Sequence, residues 1–299
     1  MAKFFLTISV VSDIMEMDSP VFCRKNGIFR EDEAMNAFWN WLDGIISSTA
    51  WTMTPPKAYG AFHLLFTLFG VAACVWLAWK LRKIGDRGNR AVLIGTGVFL
   101  LVCEIYKQLF YYFYIGNNSY QWWIFPFQMC SVPMYLCILA PLLRKGKVQK
   151  SMYSFMMIYN LLGGAMAFIE PSGIIHSYWT LTLHAFIWHM TLVFIGLYLV
   201  FSNRGGKTMQ DYRLASLNFL VLCGIAFCIN LLFWEASGGS INMFFVGPKE
   251  SSLIVFKQIA QNFGWYVSTL LYIPVVCLGA FLIFLPIHLL AKRERSGKI

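Results

Sequence analysis

The sequence predicts an all-α, polytopic membrane bundle of seven transmembrane helices, preceded by an interfacial amphipathic helix. Three observations predict it. First, the 299 residues are 58% hydrophobic and only 13% charged, where soluble domains carry about 25% charge. Mean hydropathy is +0.60. Second, the chain contains seven apolar runs long enough to cross a bilayer, which takes about 20 residues. Third, basic residues collect in alternate connections between those runs. The net charge of +10 is therefore read as topology, and no nucleic-acid partner is expected.

Residues 1–56 are read as an outer N-terminal segment and 57–299 as the transmembrane domain. The opening stretch MAKFFLTISVVSDIMEMDSP has a short apolar part and no small-residue cleavage site, so it is expected to be retained. In EDEAMNAFWNWLDGIISSTAW, Ala34, Phe38, Trp41, Leu42 and Ile45 recur at helical spacing, opposite Asp32, Asn36, Asn40 and Asp43. Glu31, Asp32 and Glu33 suit the positive end of a helix dipole. The pattern predicts a helix lying on the outer interface or packed as a lid.

The spans are expected at roughly 57–80, 90–115, 122–143, 151–170, 175–201, 212–234 and 265–290. The first inner connection holds Lys80, Arg82, Lys83, Arg87 and Arg90; the second holds Arg144, Lys145, Lys147 and Lys150. Arg204, Lys207 and Arg213 fill the third, and Lys292, Arg293, Arg295 and Lys298 the tail. The remaining connections carry few charges. The positive-inside rule then puts the N-terminus outside and the C-terminus inside a plasma membrane. Trp122, Trp123, Trp179, Trp234 and Trp265 fall at outer ends, as an aromatic belt. No internal repeat is visible, which weakens an alternating-access transporter. The last span has no lysine for a retinal Schiff base.

Polar side chains inside a bilayer are costly and mark a function or a buried partner. Here they share a depth. His63, Glu104, Lys107, Gln108, Gln128, Cys130, His184 and Asn230 all fall in the outer half, with His189 near the middle. The inner half holds little beyond Asn218. Glu104, Lys107, Gln108 and Tyr111 follow i, i+3, i+4, i+7 and so share one helix face. That face is either an ion pair that fixes packing or a charged wall for a headgroup. His184 and His189 sit about 140° apart round a helix, which argues against a two-histidine zinc site; His63 and Glu104 are the further metal ligands on offer. Most of the eight cysteines need be no more than small apolar side chains. Cys23 alone lies clearly outside the apolar runs, and no CxxC or zinc-type spacing occurs, so neither a disulfide framework nor a cofactor is expected. Cys130 stands out within FPFQMCSVP, where Pro126 and Pro133 bracket it together with Gln128. A proline there frees a carbonyl one turn back and bends the helix. A thiol near a histidine in such a place can accept an acyl group.

The order of AFHLLFTL, CEIYKQ, FPFQMCSVPMYL, FIWHMTLVFIGLYL, INMFFVGP and FGWYV, from about residue 58 onward, resembles a family. That family joins bacterial YwaF-type integral membrane proteins to a vertebrate transmembrane acyltransferase that remodels ether phospholipids. The resemblance implies a Cys–His pair that takes an acyl chain from a phospholipid and passes it to a lysophospholipid. The histidine corresponds to His189. The Pro-Cys-His slots of the vertebrate enzyme read Pro126, Phe127 and Gln128 here, and Cys130 stands three residues past the nucleophile slot. The leading expectation is thus Cys130 as nucleophile, His189 as base and Glu104 as orienting partner. His63, Lys107, Gln128, His184, Asn242 and Tyr266 would contact a phospholipid or lysophospholipid. Two alternatives stand beside it: a lipid or small-ligand binder without chemistry, and a metal-dependent intramembrane lipid hydrolase.

Overall fold

In a computed structural model the described residues are 29–297. The opening stretch and Cys23 lie outside them. Two units result, one ending at Ile45 and the other running from Ile46 to Ile299. The first is built from helix α1 (Phe29–Ser47). The expected helix is therefore present, and Phe38, Trp41 and Ile45 of its apolar stripe are exposed.

The second unit holds α2 (Ala61–Leu81), α3 (Asp86–Phe110, prolonged by a π-turn to Ile115), α4 (Val132–Leu139), α5 (Lys147–Ile169), α6 (Trp179–Phe201), α7 (Met209–Leu232), α8 (Ile254–Phe263) and α9 (Trp265–Arg295). No strand occurs among the described residues; Thr52 and Tyr178 form one isolated antiparallel bridge. Six of these helices are long and apolar enough to cross a membrane. The most apolar stretches of α5 and α6 are each 56% buried against 17% for α2 and α9. So α5 and α6 form the centre of the bundle and the others turn apolar side chains outward, as lipid-facing helices do. Small residues let the central pair approach: a Cβ on Gly164 of α5 would sit 3.0 Å from the His189 carbonyl oxygen of α6.

The third apolar run departs from expectation. Residues 122–143 do not form one long helix. A 3-10 turn (Trp122–Ile124) leads into irregular backbone, then α4 and a second 3-10 turn (Ala140–Leu142). Proline is the physical reason. Pro133 sits in the first turn of α4, where its missing N–H costs nothing, so it starts a helix and does not bend one. Pro141 ends it.

The basic connections meet at one end. Asp86 pairs with both Lys145 and Arg204. Arg204 also donates to the Ile84 carbonyl at 2.9 Å, and Lys150 pairs with Asp211 at 2.8 Å. Since α3 leaves this end at Asp86 and Lys145 is back beside it, the chain from 116 to 144 returns along the whole bundle. At the far end Asn230 brackets Met243, accepting its N–H at 2.6 Å and donating to its carbonyl at 3.0 Å. This holds a tight turn in which Phe244 and Phe245 both have φ of 56°, a region bulky side chains rarely enter. The connection after α7, expected to be a loop, contains α8, joined to α9 through Gly264 at φ 90°. Glycine adopts that angle without steric cost.

Candidate functional site

The predicted face of α3 is assembled. Lys107 Nζ lies 2.8 Å from Glu104 Oε1. Gln108 Nε2 donates to the same carboxylate oxygen at 2.7 Å and to the Ile124 carbonyl at 2.8 Å. Glu104's side chain is only 4% exposed and Lys107's 20%. The carboxylate is therefore buried, and Lys107 keeps part of its side chain exposed. The Gln108 carbonyl oxygen is buried without a partner. Outside the helices that could span the membrane, burial pushes the Tyr120 phenol up to about 12, and the Glu104 charge adds to the shift.

The irregular backbone before α4 supplies the second component. The Met134 N–H bonds to the Ser131 carbonyl, which leaves the Cys130 carbonyl outside the helical ladder. The Trp188 indole donates to it at 3.1 Å. The freed carbonyl is thus that of Cys130, and α6 captures it. The same indole ring has Lys107 Nζ 6.0 Å from its centroid and stacks on His184 at 5.7 Å.

Two histidines of α6 complete the group. His184 Nε2 lies 3.0 Å from the Cys103 carbonyl of α3, and His189 Nδ1 lies 2.8 Å from its own helix's Ala185 carbonyl. A carbonyl oxygen only accepts, so each of those nitrogens carries a proton. In the neutral ring His189 then presents a bare lone pair on Nε2. No hydrogen bond joins the Cys130 thiol to His189 among the described residues.

Other expected site residues go elsewhere. His63 is buried on α2 among Tyr59, Phe168 and Phe186. Its Nδ1 accepts from the Tyr59 N–H at 3.2 Å and its Nε2 has no partner. Gln128 spends both ends of its amide on the 242–247 turn, donating to the Asn242 carbonyl at 3.3 Å and accepting from the Phe244 N–H at 3.2 Å. Asn242 folds the same turn through the carbonyls of Lys249 and Glu250 and the Gly247 N–H. Tyr266 is exposed and lies edge-on to Trp265. Among the described residues no three His, Cys, Asp or Glu side chains gather as metal ligands.

All of these residues from His63 to Tyr266 fall inside one stretch of recognised similarity: a family model described as the TMEM164 family matches residues 58–285. The chain belongs to the TMEM164 family. No curated protein and no solved structure matches it.

Beside the polar group this TMEM164-family chain has an apolar groove of about 580 Å³, lined by α2, α3 and α6. Phe99 and Ile187 line its end toward the polar group, Leu81 and Ala91 its end toward the basic connections. His184 shares a helix face with Ile187, Thr191 and Phe194, at i, i+3, i+7 and i+10. Its bond to Cys103, four residues beyond Phe99, therefore ties α3 to α6 where the groove ends. Trp188 and Asn160 carry site features that sequence reasoning passed over. Asn160 is buried on α5 with its amide nitrogen unpartnered. Both were detectable by the depth argument that found the histidines: an indole N–H and an amide in mid-helix also demand partners.

Proposed function

We propose that this chain crosses the plasma membrane seven times, N-terminus outside, and acts on phospholipid acyl chains from a polar site in the outer half of the bilayer. The observation that carries the reading is the Trp188 indole, which holds the Cys130 carbonyl, stacks on His184 and has the Lys107 ammonium near its ring, one residue before His189 and beside an apolar groove. A phosphate group has a cation to meet, and an acyl chain has an apolar trough of three helices. Residues 122–143 supply the seventh crossing as broken helix. Irregular backbone at membrane depth is tolerated where protein buries it, and here Trp188 takes up the Cys130 carbonyl and Gln108 the Ile124 carbonyl.

In this reading Cys130 attacks the ester carbonyl of a donor phospholipid. His189 Nε2 takes the thiol proton and returns it to the departing glycerol oxygen, leaving an acyl thioester and a lysophospholipid. The hydroxyl of a lysophospholipid acceptor then attacks the thioester; His189 takes its proton and passes it to the leaving Cys130 thiolate, restoring the thiol and the neutral imidazole. Glu104 holds Lys107 in place. Gln128 and Asn242 act as positioning residues that fix the turn beside Phe244. His63, His184 and Tyr266 are the remaining substrate-contact candidates. α1 lies on the outer interface with its aromatic stripe in the headgroup layer.

A second reading, lipid binding without turnover, draws on the absence of a hydrogen bond between the Cys130 thiol and His189 among the described residues. Acyl exchange between labelled phospholipid and lysophospholipid, measured with the full chain in nanodiscs, separates the two. Exchange that disappears in His189→Ala, with melting unchanged, supports the enzyme. A wild-type protein that retains one intact lipid and shows no exchange over hours supports the binder.

A further inference from the structure

At the basic end, opposite the proposed lipid-acyl site, a polar pocket of about 70 Å³ opens between the helix ends. Arg90, Lys145, Arg204 and Asp86 bring its ionic side chains, and Asn89, Tyr153 and Gln149 its neutral polar ones, Gln149 spending its amide nitrogen on the Ala140 and Leu143 carbonyls. Three cations face one carboxylate. Asp86 satisfies part of this by pairing with Lys145 and Arg204, but Arg90 has no ion-pair partner among the described residues. The donors outnumber the acceptors in the same way. Arg204 commits Nη1 to Asp86 and Nη2 to Ile84, while its Nε is buried without a partner. Tyr153 Oη accepts from the Asn89 amide at 3.3 Å, which leaves its own proton to donate. The Asn89 oxygen accepts from Tyr198 at 2.9 Å, and no acceptor for the Tyr153 proton occurs among the described residues. The pocket is larger than a water molecule requires. A buried donor left unmade is costly, and guanidinium forks match phosphate oxygens.

We propose that this pocket is a binding site for a phosphate oxyanion, held by Arg90, the Nε–H of Arg204 and the Tyr153 hydroxyl, with Lys145 at the rim. The pocket lies between helix ends on the basic side of a membrane bundle, where anionic lipid headgroups are recognised. The same chemistry would take a soluble phosphate, and the test separates the sources. It is independent of the acyl-transfer reading, because neither Cys130 nor His189 takes part.

The experiment is native mass spectrometry of the full chain released from nanodiscs containing phosphatidylglycerol and phosphatidylcholine, with and without inorganic phosphate. Wild type should retain phosphatidylglycerol over phosphatidylcholine. Arg90→Gln should weaken retention about five-fold, the share of one cation near a membrane surface. Arg204→Lys keeps a charge for Asp86 but removes the Nε–H, and should weaken it similarly while melting stays close to wild type. Displacement by inorganic phosphate, absent in Arg90→Gln, would assign the site to a soluble ion. Lys83→Gln and Arg87→Gln, exposed charges that do not line the pocket, should leave retention unchanged. Equal loss in those two variants and in Arg90→Gln would show diffuse surface charge and overturn the pocket. So would a wild type that retains neither lipid nor phosphate.

Discussion

Replacing Glu104 by leucine tests whether the intramembrane ion pair is scaffolding or working apparatus. Removing one member of a buried pair costs about 3–5 kcal/mol, because the other charge is left uncompensated. Lys107 keeps a fifth of its side chain exposed and can extend toward water, so Glu104→Leu should fall at the low end, about 3 kcal/mol. Lys107→Met strands the more deeply buried carboxylate with only the Gln108 amide at 2.7 Å, and should cost about 4 kcal/mol. The double variant puts two apolar groups into an apolar place. Such replacements are neutral or stabilising, offset here by about 1 kcal/mol for the bond that Gln108 loses. The pair should therefore show a coupling energy of about 6 kcal/mol in a double-mutant cycle, the two single costs less that lost bond. The assay is reversible unfolding in mixed micelles, with lipid exchange measured on the same samples. Scaffolding alone predicts that the double variant recovers both stability and exchange. The site described above predicts recovered stability with exchange lost, because Lys107 is gone. Additive single costs, with coupling below about 0.5 kcal/mol, would refute the reasoning.

Two further outcomes follow from single contacts. Trp188→Phe keeps the ring but removes the N–H that reaches the Cys130 carbonyl at 3.1 Å; unfolding should show a loss of about 1–3 kcal/mol, with lipid exchange reduced in step. His176 lies in the connection before α6, where burial holds its imidazole below its ordinary 6.5. The unfolded chain then binds more protons at mildly acidic pH, so this stability is complete above about 6.5 and declines as pH falls below it. Melts of wild type and His176→Gln at successive pH values should converge toward acid; parallel curves would show that His176 contributes nothing.

Hydropathy made six long helices legible, since α2, α3, α5, α6, α7 and α9 are runs whose apolar length speaks for itself. It failed at 122–143 because an average over a window does not register where Pro126, Pro133 and Pro141 place their missing donors. It also missed α8, whose polar Lys257, Gln258 and Gln261 dilute the apolar face into what reads as loop. Depth correctly gathered Glu104, Lys107, His184 and the Cys130 backbone, because a shared height is a property of the sequence. Bearing round the bundle is not. That is why His63, at similar depth, proved to sit among aromatic rings on α2. Gln128 and Asn242 illustrate a different limit. Gln128 was marked by polarity in an apolar setting and Asn242 by the resemblance, yet each is occupied by a turn whose two left-handed phenylalanines no pattern announced.

The claim that the polar site transfers acyl groups rests on a thioester at Cys130. Peptide mass spectrometry of the full chain, purified after incubation with a labelled donor phospholipid and no lysophospholipid acceptor, observes that bond directly. The account predicts a hydroxylamine-labile labelled acyl group on Cys130, absent in Cys130→Ala and reduced in His189→Ala. An unmodified Cys130 in a preparation that still exchanges acyl chains, with exchange surviving in Cys130→Ala, would contradict it.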